Sequence, residues 1–133
     1  MRIDDIEGIG PAYAEKLIAV GISTVDALLK AGATAKGRVE LAEKSGISGS
    51  LILEWTNHAD LYRIKGVGQE YSDLLEEAGV DTVVELSKRV PANLHKKILE
   101  MNETKNLVRR PPSEKMVASW VAQAKELPRI VSY

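Results

Sequence analysis

Apolar positions recur three or four residues apart along most of the chain, the spacing of one buried face of an α-helix. Leu17, Ile18 and Val20 close the first such run, and Gly21 is expected to cap it because glycine tolerates a positive φ. Ser23 or Thr24 can then cap a second helix over "VDALLKAG". The segments "RVELAEKSG" and "SLILEWTNHADLYRI" predict two more, with Leu51, Ile52, Trp55 and Ala59 at core-facing spacing. In the second half Gly79 takes the role of Gly21, and Thr82-x-x-Glu85 has the spacing of a capping box. "HKKILEMNETKNLV" and "SEKMVASWVAQAKEL" read as helices separated by "RRPPS", where Pro111 and Pro112 forbid a continuous helix. No alternating pattern predicts a strand. The expected fold class is all-α, with four or five short helices in each half.

The two halves are copies. Aligned without gaps, "IEGIGPAYAEKLIAVGI" (residues 6–22) and "IKGVGQEYSDLLEEAGV" (residues 64–80) share Ile6/Ile64, Gly8/Gly66, Gly10/Gly68, Tyr13/Tyr71, Leu17/Leu75 and Gly21/Gly79. The register continues through Thr24/Thr82, Val25/Val83 and Leu28/Leu86. Agreement at glycine and apolar positions in one register points to a duplicated unit. The second copy carries extra residues before Trp120, the counterpart of Trp55, so the expected units are 1–60 and 61–133.

Composition sharpens this picture in three ways. Phe is absent and hydrophobic residues make up 44%, so Leu, Ile, Val and Ala must build the core. No cysteine excludes disulfides and thiolate metal sites, and fits a reducing, cytoplasmic setting. No apolar run approaches the roughly 18 residues of a membrane span, so no membrane partner is expected. Charge is unevenly distributed: residues 1–60 hold 6 Lys or Arg against 9 Asp or Glu, residues 61–87 hold 2 against 6, and residues 88–133 hold 10 against 4. A polyanion would be attracted to the last third.

The spacing Ile3-x-x-Ile6-x-Gly8-Ile9-Gly10-x-x-x-Ala14-x-x-Leu17 and its copy Leu61-x-x-Ile64-x-Gly66-Val67-Gly68-x-x-x-Ser72-x-x-Leu75 resemble the helix-hairpin-helix family, in which two helices meet at a tight hGhG turn. Both glycines are expected to take backbone angles closed to other residues, while Ala14 and Ser72 let the helices approach. Over nearly its whole length the chain also resembles a family of uncharacterised domains of this size, built from two tandem helix-hairpin-helix repeats as a SAM-like bundle. The resemblance is strongest at "IEGIGPAYAEKL", "ISTVDALL", "NHADLYRIKGVG" and "EEAGVDTVVEL". It implies that backbone N–H groups of Gly8, Gly10, Gly66 and Gly68 hold a nucleic-acid phosphate without reading bases. Lys16 and Lys65 are the nearby cations, and Arg109 and Arg110 belong to a basic stretch running from Lys88 to Lys115. Against that use, Glu7 and Glu15 flank the first turn, and Glu70, Asp73, Glu76 and Glu77 follow the second. A carboxylate on a helix's first turn competes for the dipole end that a phosphate would occupy.

Other signals are weaker. "LAEKSGISGSLILEW" has helix-turn-helix spacing, with Ser50, Glu54, Asn57 and His58 on the outward face of the would-be recognition helix, but that face offers no Arg or Lys. His58 and His95 lie far apart, lack partners at metal-ligand spacing and are expected at the surface. Tyr13, Tyr71, Trp55 and Trp120 are expected in the core, with Met101 and Met116 as gap fillers. No nucleophile triad, phosphate-binding P-loop, zinc signature or dinucleotide fingerprint can be assembled. The expectation is therefore a protein that binds without catalysis, cofactor or metal. One reading is non-sequence-specific nucleic-acid binding through hairpin amides and the basic C-terminal patch. The other is a protein-interaction module whose hairpins are structural joints.

Overall fold

Eight helices and no strand are formed in the computed structural model, which describes all residues Met1–Tyr133. The chain divides into two compact units, Met1–Asp60 with Ile130–Tyr133, and Leu61–Arg129.

In the first unit a short 3-10 turn, Ile3–Asp5, leads into α1 (Pro11–Ala19), α2 (Val25–Ala31), α3 (Ala35–Ser45) and α4 (Gly49–Leu61). Each boundary has a local cause. Proline stands at the first position of α1, where its missing N–H costs nothing. Gly21, at φ +90°, ends α1, and Ile22 N–H reaches back to Leu17 O at 2.9 Å, so the orphan carbonyls of the last turn are satisfied. Thr24 and Thr34 cap α2 and α3, each hydroxyl accepting from the N–H three residues on. The first residues tie back onto the α1–α2 corner, with Ile3 N–H donating to Ser23 O and Val25 N–H to Met1 O. Ile3, Leu17, Leu28, Ile52 and Trp55 are among the most deeply buried side chains.

A buried charge that the hydrophobic pattern gives no hint of closes this unit. Arg38, on α3, donates to Gly32 O and Ser132 O, both at 2.8 Å, and lies 5.6 Å from the Tyr133 ring centroid. Ser132 N–H donates to Ala33 O, and Tyr133 Oη donates to Asn57 Oδ1 at 3.2 Å. The guanidinium thus gathers carbonyls from the α2–α3 corner and from the C-terminal segment, which supplies the partners a buried cation requires.

The second unit holds α5 (Gln69–Glu77), α6 (Val83–Ser87), α7 (Pro91–Lys105) and α8 (Glu114–Glu126). Helix α8 packs on α6 and α7, and α5 packs on α7. Its core gathers Leu61, Ile64, Leu74, Leu75, Val80, Leu86, Leu94, Ile98, Val117 and Trp120. Gly79 repeats the geometry of Gly21, with φ +91° and Val80 N–H on Leu75 O at 2.8 Å. The capping box at α6 differs from expectation. Thr82 accepts from Glu85 N–H, but the Glu85 carboxylate reaches one residue further back, to Asp81 N–H at 3.0 Å.

Several expected burials are corrected. His58 is 4% exposed and Asn57 9%, so neither lies on an outward recognition face; only Ser50 and Glu54 of that set are exposed. The turn between α3 and α4 does form, with Gly46 at φ +73°, but the C-terminal half of α4 is enclosed and Asn57 is covered by Tyr133. Tyr13 and Tyr71 are half-buried, their rings inward and the Tyr71 hydroxyl at the surface, as their amphipathic side chains allow. Met116 is exposed, while Met101 does fill space beside the second core.

Trp55 and Trp120 are 1% and 2% exposed. Trp120→Ala is therefore expected to lower stability by roughly 3–5 kcal/mol, the usual range for truncating a buried indole. Urea unfolding followed by circular dichroism measures this.

Candidate functional site

Each Gly-x-Gly corner precedes the first helix of its unit, and the two glycines in it do different work. Gly8 and Gly66 have φ of +93° and +97°, the region that side chains rarely enter. They are also where a tryptophan arrives: a β-carbon would stand 3.4 Å from Trp55 Nε1 at Gly8 and 3.1 Å from Trp120 Nε1 at Gly66. The expectation that both glycines of each corner need special angles is corrected for the second one. Gly10 (φ −78°, ψ 179°) and Gly68 (φ −106°, ψ −164°) are extended, and a β-carbon there would meet nothing within 4 Å. Their task is to lead the chain into α1 and α5.

Around each indole the same aromatic partner is found. Tyr13 meets Trp55 edge-on with centroids 5.1 Å apart, and Tyr71 meets Trp120 at 5.2 Å and 51°. Ala14 and Ser72, the small positions one residue further along, are both buried. No protein acceptor takes the N–H of Gly8, Gly10, Gly66 or Gly68; the regular bonds of α1 and α5 begin only at Ala14 on Gly10 O and Ser72 on Gly68 O. Neither helix has a side-chain cap at its N-terminus. Both corners therefore combine backbone donors that lack a protein acceptor with the positive dipole end of a helix.

Beyond that the corners differ. In the first, Lys16 is exposed on α1 with Nζ 6.0 Å from the Tyr13 ring centroid, and no basic loop accompanies it. In the second, the backbone of Lys65 is clamped by α8: Lys65 N–H donates to Gln123 Oε1 at 2.9 Å, and Gln123 Nε2 donates to Lys65 O at 3.2 Å. The Lys65 side chain is left exposed.

The loop Asn106–Ser113, absent from the first unit, carries Arg109 and Arg110, and its conformation is pinned by three side chains. Asn102 bonds both groups of Val108, Nδ2 to O at 3.1 Å and N–H to Oδ1 at 2.9 Å. His95 Nε2 pairs with Pro112 O at 3.0 Å. Tyr71 Oη donates to Arg110 O at 3.0 Å. Since Tyr71 lies on the first turn of α5, this last bond ties the backbone of Arg110 to the helix that follows the corner of Lys65, Gly66 and Gly68. The proline pair is not what ends the preceding helix. Helix α7 already ends at Asn106, whose φ of +50° caps it in the left-handed region, and side-chain hydrogen bonds do the rest. Asn102, His95 and Tyr71 were not singled out for this role; a loop-holding side chain leaves no spacing signature in the sequence.

A family model described as a domain of unknown function (DUF4332) matches residues 7–127. The chain belongs to the DUF4332 family. The DUF4332 match begins within the first corner and runs past Gln123, so both corners and the pinned loop lie inside it. No curated protein and no solved structure matches the chain. No helix of this DUF4332 domain is long and apolar enough to cross a membrane.

The contrast between the glycines gives a direct test. Gly66→Ala is expected to cost roughly 1–3 kcal/mol, since it forces strained backbone and crowds the indole. Gly68→Ala should be neutral or stabilise by up to about 1 kcal/mol, because its extended angles suit any residue. Chemical denaturation of both variants measures the difference.

Proposed function

We propose that this DUF4332 chain is a pair of tandem helix-hairpin-helix repeats that acts by binding, without catalysis, and that its second hairpin holds the phosphate backbone of a nucleic acid without reading sequence. Support for the repeat reading comes from the matched corners: positive φ at Gly8 and Gly66, a tryptophan against each, and the same cap at Gly21 and Gly79. The observation that carries the binding reading is the Tyr71–Arg110 hydrogen bond, which ties the loop bearing two exposed arginines to the helix that follows the uncommitted backbone donors. Free N–H groups and flexible cations each bind phosphate weakly; presented together on a fixed frame they suit a polyanion. The first hairpin has the donors but lacks the loop, and is read as a structural joint.

The acidic residues of α5 tune the strength. Glu70 stands in its first turn and competes with a phosphate for the same helix end. A protein partner in place of nucleic acid is the alternative, with both hairpins as joints.

Salt dependence separates the two. For binding to duplex DNA, the slope of log affinity against log salt falls by about 1 unit for each phosphate contact removed. Arg109→Ala with Arg110→Ala is expected to weaken binding and flatten that slope by about 2 units, while Glu70→Gln strengthens binding. Fluorescence anisotropy at several salt concentrations reads both. A wild-type protein that binds no DNA at low salt, or a double variant that binds as the wild type does, would pass the case to the protein-partner reading.

A further inference from the structure

The second unit has another basic feature, at the far end of α5 from the corner. Between Ala78, the α6–α7 connection and the first turns of α7 lies an open cleft of about 570 Å³, lined by Ala78, Lys88, Arg89, Val90, Asn93, Leu94 and Lys97. Three of these seven residues are cationic and none is acidic. Nine residues of α5 separate this cleft from Gly68, roughly 13 Å at 1.5 Å per residue, so it is a different place from the hairpin corner.

Its construction is specific. Arg89 Nη2 donates to Gly79 O at 2.9 Å, and a β-carbon on Gly79 would stand 3.0 Å from that same nitrogen. The bare glycine thus gives the guanidinium its seat, with its remaining donors available to a ligand. Val90 cannot cap α7, and the N–H groups of Ala92 and Asn93 have no protein acceptor. Leu94, Ala78 and Val90 add an apolar wall.

The first unit supplies an internal comparison. A hollow of about 170 Å³ lies beside Val20 and Ile22, the counterparts of Ala78 and Val80, and is lined also by Ala31, Gly37, Glu40, Leu41 and Lys44. There the single lysine is offset by a glutamate. The charge and size of the cleft in the second unit are therefore not a by-product of the helical frame.

We infer that this cleft binds the phosphate group of a small phosphorylated ligand, with Lys88, Arg89 and Lys97 neutralising the anion and Val90 and Leu94 lining the space for an attached carbon group. A concave site of this volume lies within the range of small-molecule pockets. The inference does not depend on nucleic-acid binding at the hairpin.

Two-dimensional amide NMR at constant ionic strength tests it, with inorganic phosphate in one titration and glycerol 3-phosphate in another to tell a free ion from an ester. Both probes are expected to move the Ala92, Asn93 and Lys97 amides along a common saturating curve. Lys88→Gln with Lys97→Gln should weaken that binding roughly tenfold or more, as lost hydrogen bonds from charged donors imply. Arg109→Ala with Arg110→Ala should leave it unchanged, whatever it does to DNA binding. Shifts that rise linearly without saturating, or a Lys88/Lys97 variant that binds phosphate as the wild type does, would overturn the inference.

Discussion

A tryptophan indole resting on a glycine that has no side chain is the contact on which each unit depends. The indole can occupy that space only because the glycine leaves it empty, and the turn can close only because the same glycine accepts φ above +90°. Steric room and backbone conformation are thus demanded at one residue, Gly8 or Gly66. The indole then brings in the rest. Tyr13 or Tyr71 packs against it at a steep angle, the small residue Ala14 or Ser72 allows the helix to approach, and the last helix of the unit is locked to the corner. In the second unit Gln123, one turn beyond Trp120, adds a two-point clamp on the Lys65 backbone.

What the sequence made legible follows from this economy. Glycines that must be glycine, threonines that cap and apolar residues at helical spacing each leave a mark at a fixed position, and Gly21, Gly79, Thr24 and Thr82 act as the pattern implies. The all-helical class was readable for the same reason. The doubled glycine misled in part, because Gly10 and Gly68 look identical to their neighbours in the sequence yet adopt extended angles open to any residue. Burial by distant segments was also out of reach. His58 and Asn57 stand on what a helical wheel draws as a polar face, and only the fold encloses them. Arg38 reads as a surface charge until the carbonyls of Gly32 and Ser132 are seen around it.

The candidate site was half visible. Its glycine donors and Arg109–Arg110 could be named from the sequence, but they lie about forty residues apart there. What joins them is a tyrosine hydroxyl and a backbone carbonyl, supported by Asn102 and His95. Such links belong to three-dimensional structure and have no spacing rule. They also explain how two similar corners come to differ in prospect. The donors are common to both, whereas the insertion that carries cations occurs in one.

The central claim is that the second corner, and not the first, meets a phosphate backbone. Titration of isotope-labelled protein with a short DNA duplex of arbitrary sequence, followed by amide NMR at low salt, tests it residue by residue. The account predicts that the amides of Gly66, Gly68 and Gln69 move together with those of Arg109 and Arg110, while Gly8 and Gly10 stay near their free positions. Equal movement at both corners, or movement confined to residues outside them, would contradict it.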